Sequence, residues 1–322
     1  MTSAPAAPSV SIGLPVYDGE RYLAAAIDAH LAQTYGDFEL IVRDNASTDG
    51  TEAIARAAAA RDPRVRYLRV PENVGALANF NALVAEARGR WFKWAAADDL
   101  VAPELLARAT AVLERDAGVV LCHSDTRIID ADGAPLGDYT YPAGHAAQPR
   151  PSARFADVLR EDRWCFALFG VVRTDVLRAT ALLPSLVGDD RIVLAELALR
   201  GRFAIVPEIL FSNRDHPGRA VRRFPAHHQR AAHEVPALAG RRLLPHWRIL
   251  AAYARVTHRV PLPPIERARC MVALLGWIGR HGNWARLATD PLVAMHPAAG
   301  DLLARLASSE ARWLGTRIRR AP

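Results

Sequence analysis

Trp91-Phe92-Lys93-Trp94-Ala95-Ala96-Ala97-Asp98-Asp99-Leu100 reads as a buried strand that ends abruptly in two adjacent carboxylates. Two like charges at the end of an apolar run are costly unless a cation meets them. A divalent metal holding a diphosphate is the most economical such cation, so this stretch points to a nucleotide-activated substrate. A helix start near Pro103-Glu104 explains one carboxylate through the helix dipole, and explains two less well. Oxygen ligands suit Mg2+ or Mn2+, which keep positions open for phosphate oxygens.

On both sides of this stretch strand and helix patterns alternate, from residue 9 to about 125. Apolar runs at 10–16, 38–42, 65–70, 91–96 and 119–123 read as strands. Segments 20–33, 50–61, 76–88 and 103–115 carry helical spacing, the third closed by Gly89. The rhythm predicts an α/β fold: a doubly wound, mostly parallel sheet with helices on both faces. Ligands of such sheets bind beyond the carboxyl ends of the strands. Tyr17-Asp18, Asp44-Asn45 and Asp98-Asp99 all follow strand ends and are expected to meet on one rim. Tyr17 can stack on a base or sit half-buried at a turn. Asp44 can accept a hydrogen bond from a base N–H or a ribose hydroxyl. Asn73-Val74-Gly75 offers polar groups beside an approachable backbone, or an ordinary turn. Asp49 and Thr51 read as helix caps.

After residue 125 the rhythm breaks. Asp130-Ala131-Asp132-Gly133 reads as a hairpin turn rather than a metal motif. Helices are expected near 153–160 and 174–182. Asp189-Asp190 opens a helix over 190–200 that Gly201 ends. One of the two carboxylates caps that helix, and the other can serve as a general base. Strands at 203–206 and 209–212 lead into Arg214-Asp215-His216, whose lone histidine reads as structural as readily as ligating. Between Arg214 and Arg259 lie ten arginines and six of the eleven histidines, against two acids. Helices are expected there and beyond at 240–258, 266–280 and 299–319. The expected division is a flexible tail (1–8), a catalytic domain (9–216, with a nucleotide-binding half to 125 and an acceptor half after it), and a basic helical extension (217–322). Segment 217–233 reads as a lid, and the basic helices as a surface for anionic lipid or a solvated arginine-rich face.

The chain has 322 residues, 51% of them hydrophobic, and a formal charge of +7, room for a real core. Lys93 is its only lysine. An anionic substrate or a membrane surface accounts for the charge as well as nucleic acid does, and no nucleic-acid partner is expected. Cys122, Cys165 and Cys270 form neither a disulfide framework nor a zinc pattern, which fits a reducing cytoplasm or the inner face of a membrane. The N-terminus lacks the build of a signal peptide, and no apolar run approaches the ~20 residues of a membrane span. A dinucleotide fingerprint, a P-loop and a serine nucleophile elbow are all missing, which weakens dehydrogenase, kinase and hydrolase readings.

Several stretches together resemble the family-2 glycosyltransferases. They are Val10–Tyr17, Arg43–Thr51, Asn73-Val74-Gly75 with Ala78-Asn79 and Asn81, and Ala97-Asp98-Asp99. The resemblance continues through Gly188-Asp189-Asp190-Arg191, Gly201, Pro207-Glu208 and Arg214-Asp215-His216, and covers little beyond 217. It implies a GT-A fold and a metal-dependent, inverting, hexosyltransferase-type transfer. The donor is a nucleoside-diphosphate sugar, with a lean to UDP. The acceptor is a hydroxyl of a glycan, lipid or natural product. By position, Pro15, Tyr17, Asp44 and Asn73 would line the nucleotide, with Asp44 at a uracil N3–H, and Asp98 would contact the ribose or sugar. Asp99 and His216 would hold Mg2+ or Mn2+, and Asp190, beside Asp189, would be the catalytic base. One departure stands out: the usual motif has an Asp two positions before the ligand-bearing Asp, and here Ala97 precedes the pair. A nucleotidyltransferase on a similar sheet and a non-catalytic basic binding module are the competing readings.

Overall fold

The structure, a computed structural model, describes residues 7–161, 164–184, 189–223, 235, 238, 241, 243–280 and 282–295. Among these residues nine strands form one sheet: β1 (Val10–Val16), β2 (Phe38–Asp44), β3 (Val65–Arg69), β4 (Trp91–Trp94), β5 (Leu100–Val101), β6 (Val119–Ile129), β7 (Pro135–Tyr139), β8 (Val171–Arg173) and β9 (Arg202–Arg214). Their order is β3-β2-β1-β4-β8-β6-β9-β5, with β7 added alongside β6. β1 pairs in parallel with β2 and β4, as β2 does with β3 and β6 with β9. β5, β7 and β8 run antiparallel to their neighbours. The helices are α1 (Glu20–Leu31), α2 (Thr51–Arg61), α3 (Ala76–Glu86), α4 (Leu105–Arg115), α5 (Pro151–Arg160), α6 (Thr174–Arg178), α7 (Asp189–Arg200), α8 (Ala220–Arg223), α9 (Pro245–Arg259), α10 (Pro264–Ile278) and α11 (Asn283–Met295).

β1 is buried along its whole length, as a central parallel strand covered on both faces must be. α4 shows why the helices lie flat on the sheet. Leu105, Leu106, Ala109, Thr110 and Leu113 share one face and are buried, at the spacing of an amphipathic helix. α1 and α2 cap each other. Asp49 Oδ2 accepts the Glu20 N–H at 3.0 Å, and Glu20 Oε2 accepts the Gly50 N–H at 2.7 Å. Each carboxylate thereby serves the positive end of the neighbouring helix. Thr51 contributes at the same junction by accepting the Gly19 N–H.

Several boundaries differ from the sequence reading. α3 ends at Glu86, and Gly89 serves packing instead. A Cβ there would lie 2.6 Å from Ser11 N. β9 is one strand rather than two, because its pairing with β6 jumps from Ser124–Val206 to Asp125–Ile209, leaving Pro207 and Glu208 as a bulge. Proline has no N–H for the ladder, so the bulge is where it fits. The expected turn at Asp130 is present, with Asp130 Oδ1 accepting the N–H groups of Asp132 and Ala134. α11 was not expected from sequence, while the helix expected at 299–319, most of the 217–233 segment and residues 1–6 lie outside the described residues. α9 packs on α7, and α10 on α5.

The amino ends of the strands are held by one buried carboxylate. Glu39, 3% exposed, accepts hydrogen bonds from Ser11 Oγ, the Arg88 N–H and guanidinium, and Arg66 Nη1. Burial opposes its ionisation, but the bonds from Arg88, Ser11 and Arg66 outweigh it and lower its pKa. A depressed carboxylate contributes stability that is full above its unfolded value of about 4.3 and is lost as pH falls through the folded value. Glu39→Gln is therefore expected to lower the unfolding free energy by about 2–4 kcal/mol at pH 7, and by less at pH 3. Urea titrations at the two pH values measure the difference.

Candidate active site

The pairing register brings the strand ends to one rim. Val16 lies opposite Asp44, and Gly13 opposite Trp94. The Ala95 N–H continues the ladder to Gly13 O at 2.8 Å. Tyr17 and Asp98 each stand four residues past a paired position of β1 or β4. A Cβ on Gly19 would lie 3.7 Å from Ala97 Cβ, so the segments after β1 and β4 touch.

Asp98 and Asp99 have opposite surroundings. Asp99 is 3% exposed. Asn213 Nδ2 donates to both its oxygens at 3.1 Å, and the Arg214 N–H donates to Oδ1 at 2.8 Å. Burial, and then the neighbouring Asp98 charge, raise its pKa, while the Arg214 and Asn213 bonds oppose the shift. Asp98 is about one-third exposed at its side chain, and its Oδ2 lies 2.9 Å from His216 Nε2. The His216 ring rests against Tyr22, centroids 4.9 Å apart, and the Arg214 guanidinium lies 4.7 Å from the centre of the Tyr22 ring. Arg214 Nε donates to Asp98 O at 2.9 Å and its Nη1 reaches the carbonyls of Asp130 and Ala131. The end of β9 is thus tied to the end of β4 and to the β6–β7 turn. A carboxylate beside an imidazole, half-open to solvent, suits Mg2+ or Mn2+, which need only one or two protein ligands when phosphate and water supply the rest. The Asp98–His216 pair fits such an ion; the inward-turned, fully bonded Asp99 fits it less well.

The other expected contacts divide in the same way. Asp44 has no exposed surface. Its Oδ1 accepts the Ser47 N–H, and its Oδ2 accepts from Tyr67 Oη and Arg69 Nη1, both at 2.7 Å. Burial and then Asp44 push the Tyr67 hydroxyl up to about 12. Pro15 is buried within β1, while Tyr17 is 45% exposed. Asn73 is exposed, and its Oδ1 accepts from Asn45 Nδ2 and the Gly75 N–H, both at 2.9 Å. Asn45 Oδ1 accepts the Val74 N–H, so the β3–α3 loop is clamped to the end of β2. Gly75 has φ +87, a backbone state that favours glycine.

Asp190 is placed by contacts on the other half of the sheet. Its Oδ1 accepts the Arg191 N–H at 2.8 Å. Asp190 and Arg191 both lie against Cys165, whose thiol burial, and then Asp190, push well above its ordinary range. Asp189 is the first residue of α7, and its side chain lies outside the described residues. Sequence reasoning missed Asn213, Tyr67 and Arg69, and placed Arg214 in a motif without a partner; these are the partners of the rim carboxylates. It also passed over Lys93, fully buried, whose Nζ donates to Trp94 O. A single lysine inside an apolar run was the available signal.

Residues 11–156 match the family model described as Glycosyl transferase family 2. The uncharacterized glycosyltransferase RP339 of Rickettsia prowazekii (strain Madrid E) is 29% identical over 180 residues, 56% of this chain and 51% of that one. The succinoglycan biosynthesis protein ExoO of Rhizobium meliloti (strain 1021) is 31% identical over 212 residues, 62% of this chain and 59% of that one. The chain spans about half the length of the first of these. Among solved structures, S. aureus TarS 1-349 in complex with UDP superposes with a TM-score of 0.61 at 16% identity, over 88% of this chain and 75% of that one. The mannosyltransferase PcManGT from Pyrobaculum calidifontis, in complex with GDP-Man and Mn2+, gives 0.56 at 19% identity, over 97% and 82%. These likenesses establish the fold as GT-A.

Removing the Asn213 amide leaves the Asp99 carboxylate short of two bonds in a buried setting. Asn213→Ala is expected to lower the unfolding free energy by about 2 kcal/mol, read from urea midpoints at pH 7.

Proposed function

We propose that the chain, whose residues 11–156 match the family model, is a family-2 glycosyltransferase that moves a sugar from a nucleoside-diphosphate donor to an acceptor hydroxyl with inversion. The observation that carries this reading is the Asp98–His216 contact at the carboxyl rim of β1, β2 and β4. Asp98 and His216 are the residues that would hold Mg2+ or Mn2+. Bound there, the ion would offset charge on the departing diphosphate. Asp99 supports the pair from beneath rather than joining it. That inward setting reverses the division of roles expected from the resemblance.

Tyr17 and Asn73, both open to solvent, face the base, with Pro15 fixing the backbone beneath Tyr17. Asp44 reaches a base N–H only if Arg69 gives way, so its role here is to hold Arg69 and Tyr67 at the edge of the nucleotide site. UDP is the favoured nucleotide, because TarS 1-349 was solved with it; PcManGT, solved with GDP-Man, makes GDP the competitor. The acceptor is a glycan, lipid or natural-product hydroxyl, and ExoO's name favours a glycan. Asp190, with Asp189 as its neighbour, takes the proton of the acceptor hydroxyl. The freed oxygen bonds to the anomeric carbon from the face opposite the diphosphate, and the carbon–diphosphate electron pair leaves with the nucleotide. Segments 9–125 and 126–216 serve donor and acceptor respectively.

Thermal shift with UDP, GDP and TDP, with and without Mn2+, tests the donor site. Asp98→Asn and His216→Ala are each expected to lose the Mn2+-dependent part of the nucleotide shift. Asp190→Asn is expected to keep that shift and to slow transfer about 10²–10⁴-fold. A nucleoside diphosphate is the expected product. Release of pyrophosphate, or near wild-type turnover by Asp190→Asn, overturns the assignment.

A further inference from the structure

The C-terminal helices carry an uncovered apolar surface. Among the described residues, nine of the twelve exposed large hydrophobic side chains lie between Leu244 and Met295. α10 shows the pattern most sharply. Its inner face buries Glu266, Cys270, Leu274 and Trp277. Its outer face carries Ile265, Met271, Val272 and Leu275, with Val272 and Leu275 about two-thirds exposed. From Cys270 to Ile278 the helix has no charged residue. A helix that is apolar all round is normally enclosed on all sides. On α11, Trp284, Leu292 and Met295 are exposed too.

The charge of the chain is concentrated in the same part. Residues 217–322 contain eighteen arginines against five carboxylates, so the first 216 residues are net acidic although the whole chain is +7. Arg255, Arg269, Arg280 and Arg286 are exposed on or beside α9, α10 and α11. Exposed tryptophans and aliphatics edged by arginine match the composition of helices that lie in the headgroup region of a bilayer. A basic surface without apolar groups would attract anions generally, and an apolar face without basic residues would favour self-association. The combination selects an anionic lipid surface. No helix among the described residues is long and apolar enough to cross a membrane.

We propose that the outer face of α10 and α11, with its flanking arginines, docks the protein on an anionic lipid bilayer. The proposal goes beyond sugar transfer and stands whatever the donor proves to be. It places the acceptor half of the fold next to the membrane, because α10 packs on α5 and α9 on α7.

Flotation of the full chain tests it, using vesicles of phosphatidylcholine alone or with about one-third phosphatidylglycerol. Wild type is expected to float with the anionic vesicles, to bind the neutral ones weakly, and to dissociate as salt rises. The double variant Val272→Asp, Leu275→Asp is expected to partition about tenfold or more weakly, with an unchanged thermal midpoint because both side chains are exposed. Leu136→Asp, an exposed leucine on β7, is expected to bind as wild type does. The triple variant Arg255→Gln, Arg280→Gln, Arg286→Gln is expected to lose most of the phosphatidylglycerol preference. Failure of wild type to float overturns the proposal, as does equal binding by the double aspartate variant. A concentration-dependent dimer that this variant dissolves, without vesicle binding, overturns it in favour of a second copy on the face.

Discussion

A carboxylate at the end of a buried strand has to find donors, and Asp99 finds them on β9. Asn213 Nδ2 and the Arg214 N–H meet it across more than a hundred residues of sequence. A buried charge without such partners is among the costliest features a fold can carry. The bonds therefore fix how β9 ends relative to β4. The two-residue strand β5 is the backbone counterpart, with Leu100 opposite Ser212 and Val101 opposite Phe211. Two residues further along, His216 arrives at Asp98. The exposed pair thus depends on the hidden one: Asp99 anchors the end of β9, and Asp98 meets His216.

The same economy governs the rest of the rim. Asp44 is consumed by Ser47, Tyr67 and Arg69. Asp18, at φ +47, accepts the Thr48 N–H and ties the β1 and β2 loops together. Asp49 and Glu20 cap each other's helices. Most of these acids around the rim are thus already engaged with backbone or arginine. Asp98 remains the one with an oxygen near solvent and an imidazole beside it. Local bonding, rather than proximity to the rim, separates a ligand candidate from a structural carboxylate.

Much of this was legible in the chain. The strands of a parallel sheet are continuous apolar runs, so β1, β2, β3 and β4 stand out, and acids at their ends mark the rim. What each acid bonds to was not legible, because Arg69, Asn213 and Arg214 arrive through tertiary pairing that has no local signature. β9 read as two strands because Pro207 and Glu208 interrupt its pattern, and only β6 opposite them shows that the pairing resumes. α11 was hidden by Pro291 and Asp290 inside it. Asp290 has a use that its own helix does not reveal: its Oδ2 accepts the N–H groups of His246 and Trp247 at the start of α9. An acid that looks like a helix breaker serves as a cap for another helix.

Lys93 completes the electrostatics beneath the site. It is fully buried in β4, with its ammonium 5.7 Å from the centre of the Phe211 ring and hydrogen-bonded to Trp94 O. Burial pulls its pKa down to about 7, and the Asp99 charge opposes that pull. Its field helps burial to lower His30 on α1 to about 3, which keeps that imidazole neutral. An unpaired ammonium in the sheet would be as costly as an unpaired carboxylate. The Asp99 charge, beyond the end of the strand, lowers that cost for Lys93. Above them at the rim, Asp98 lies beside the histidine that β9 delivers.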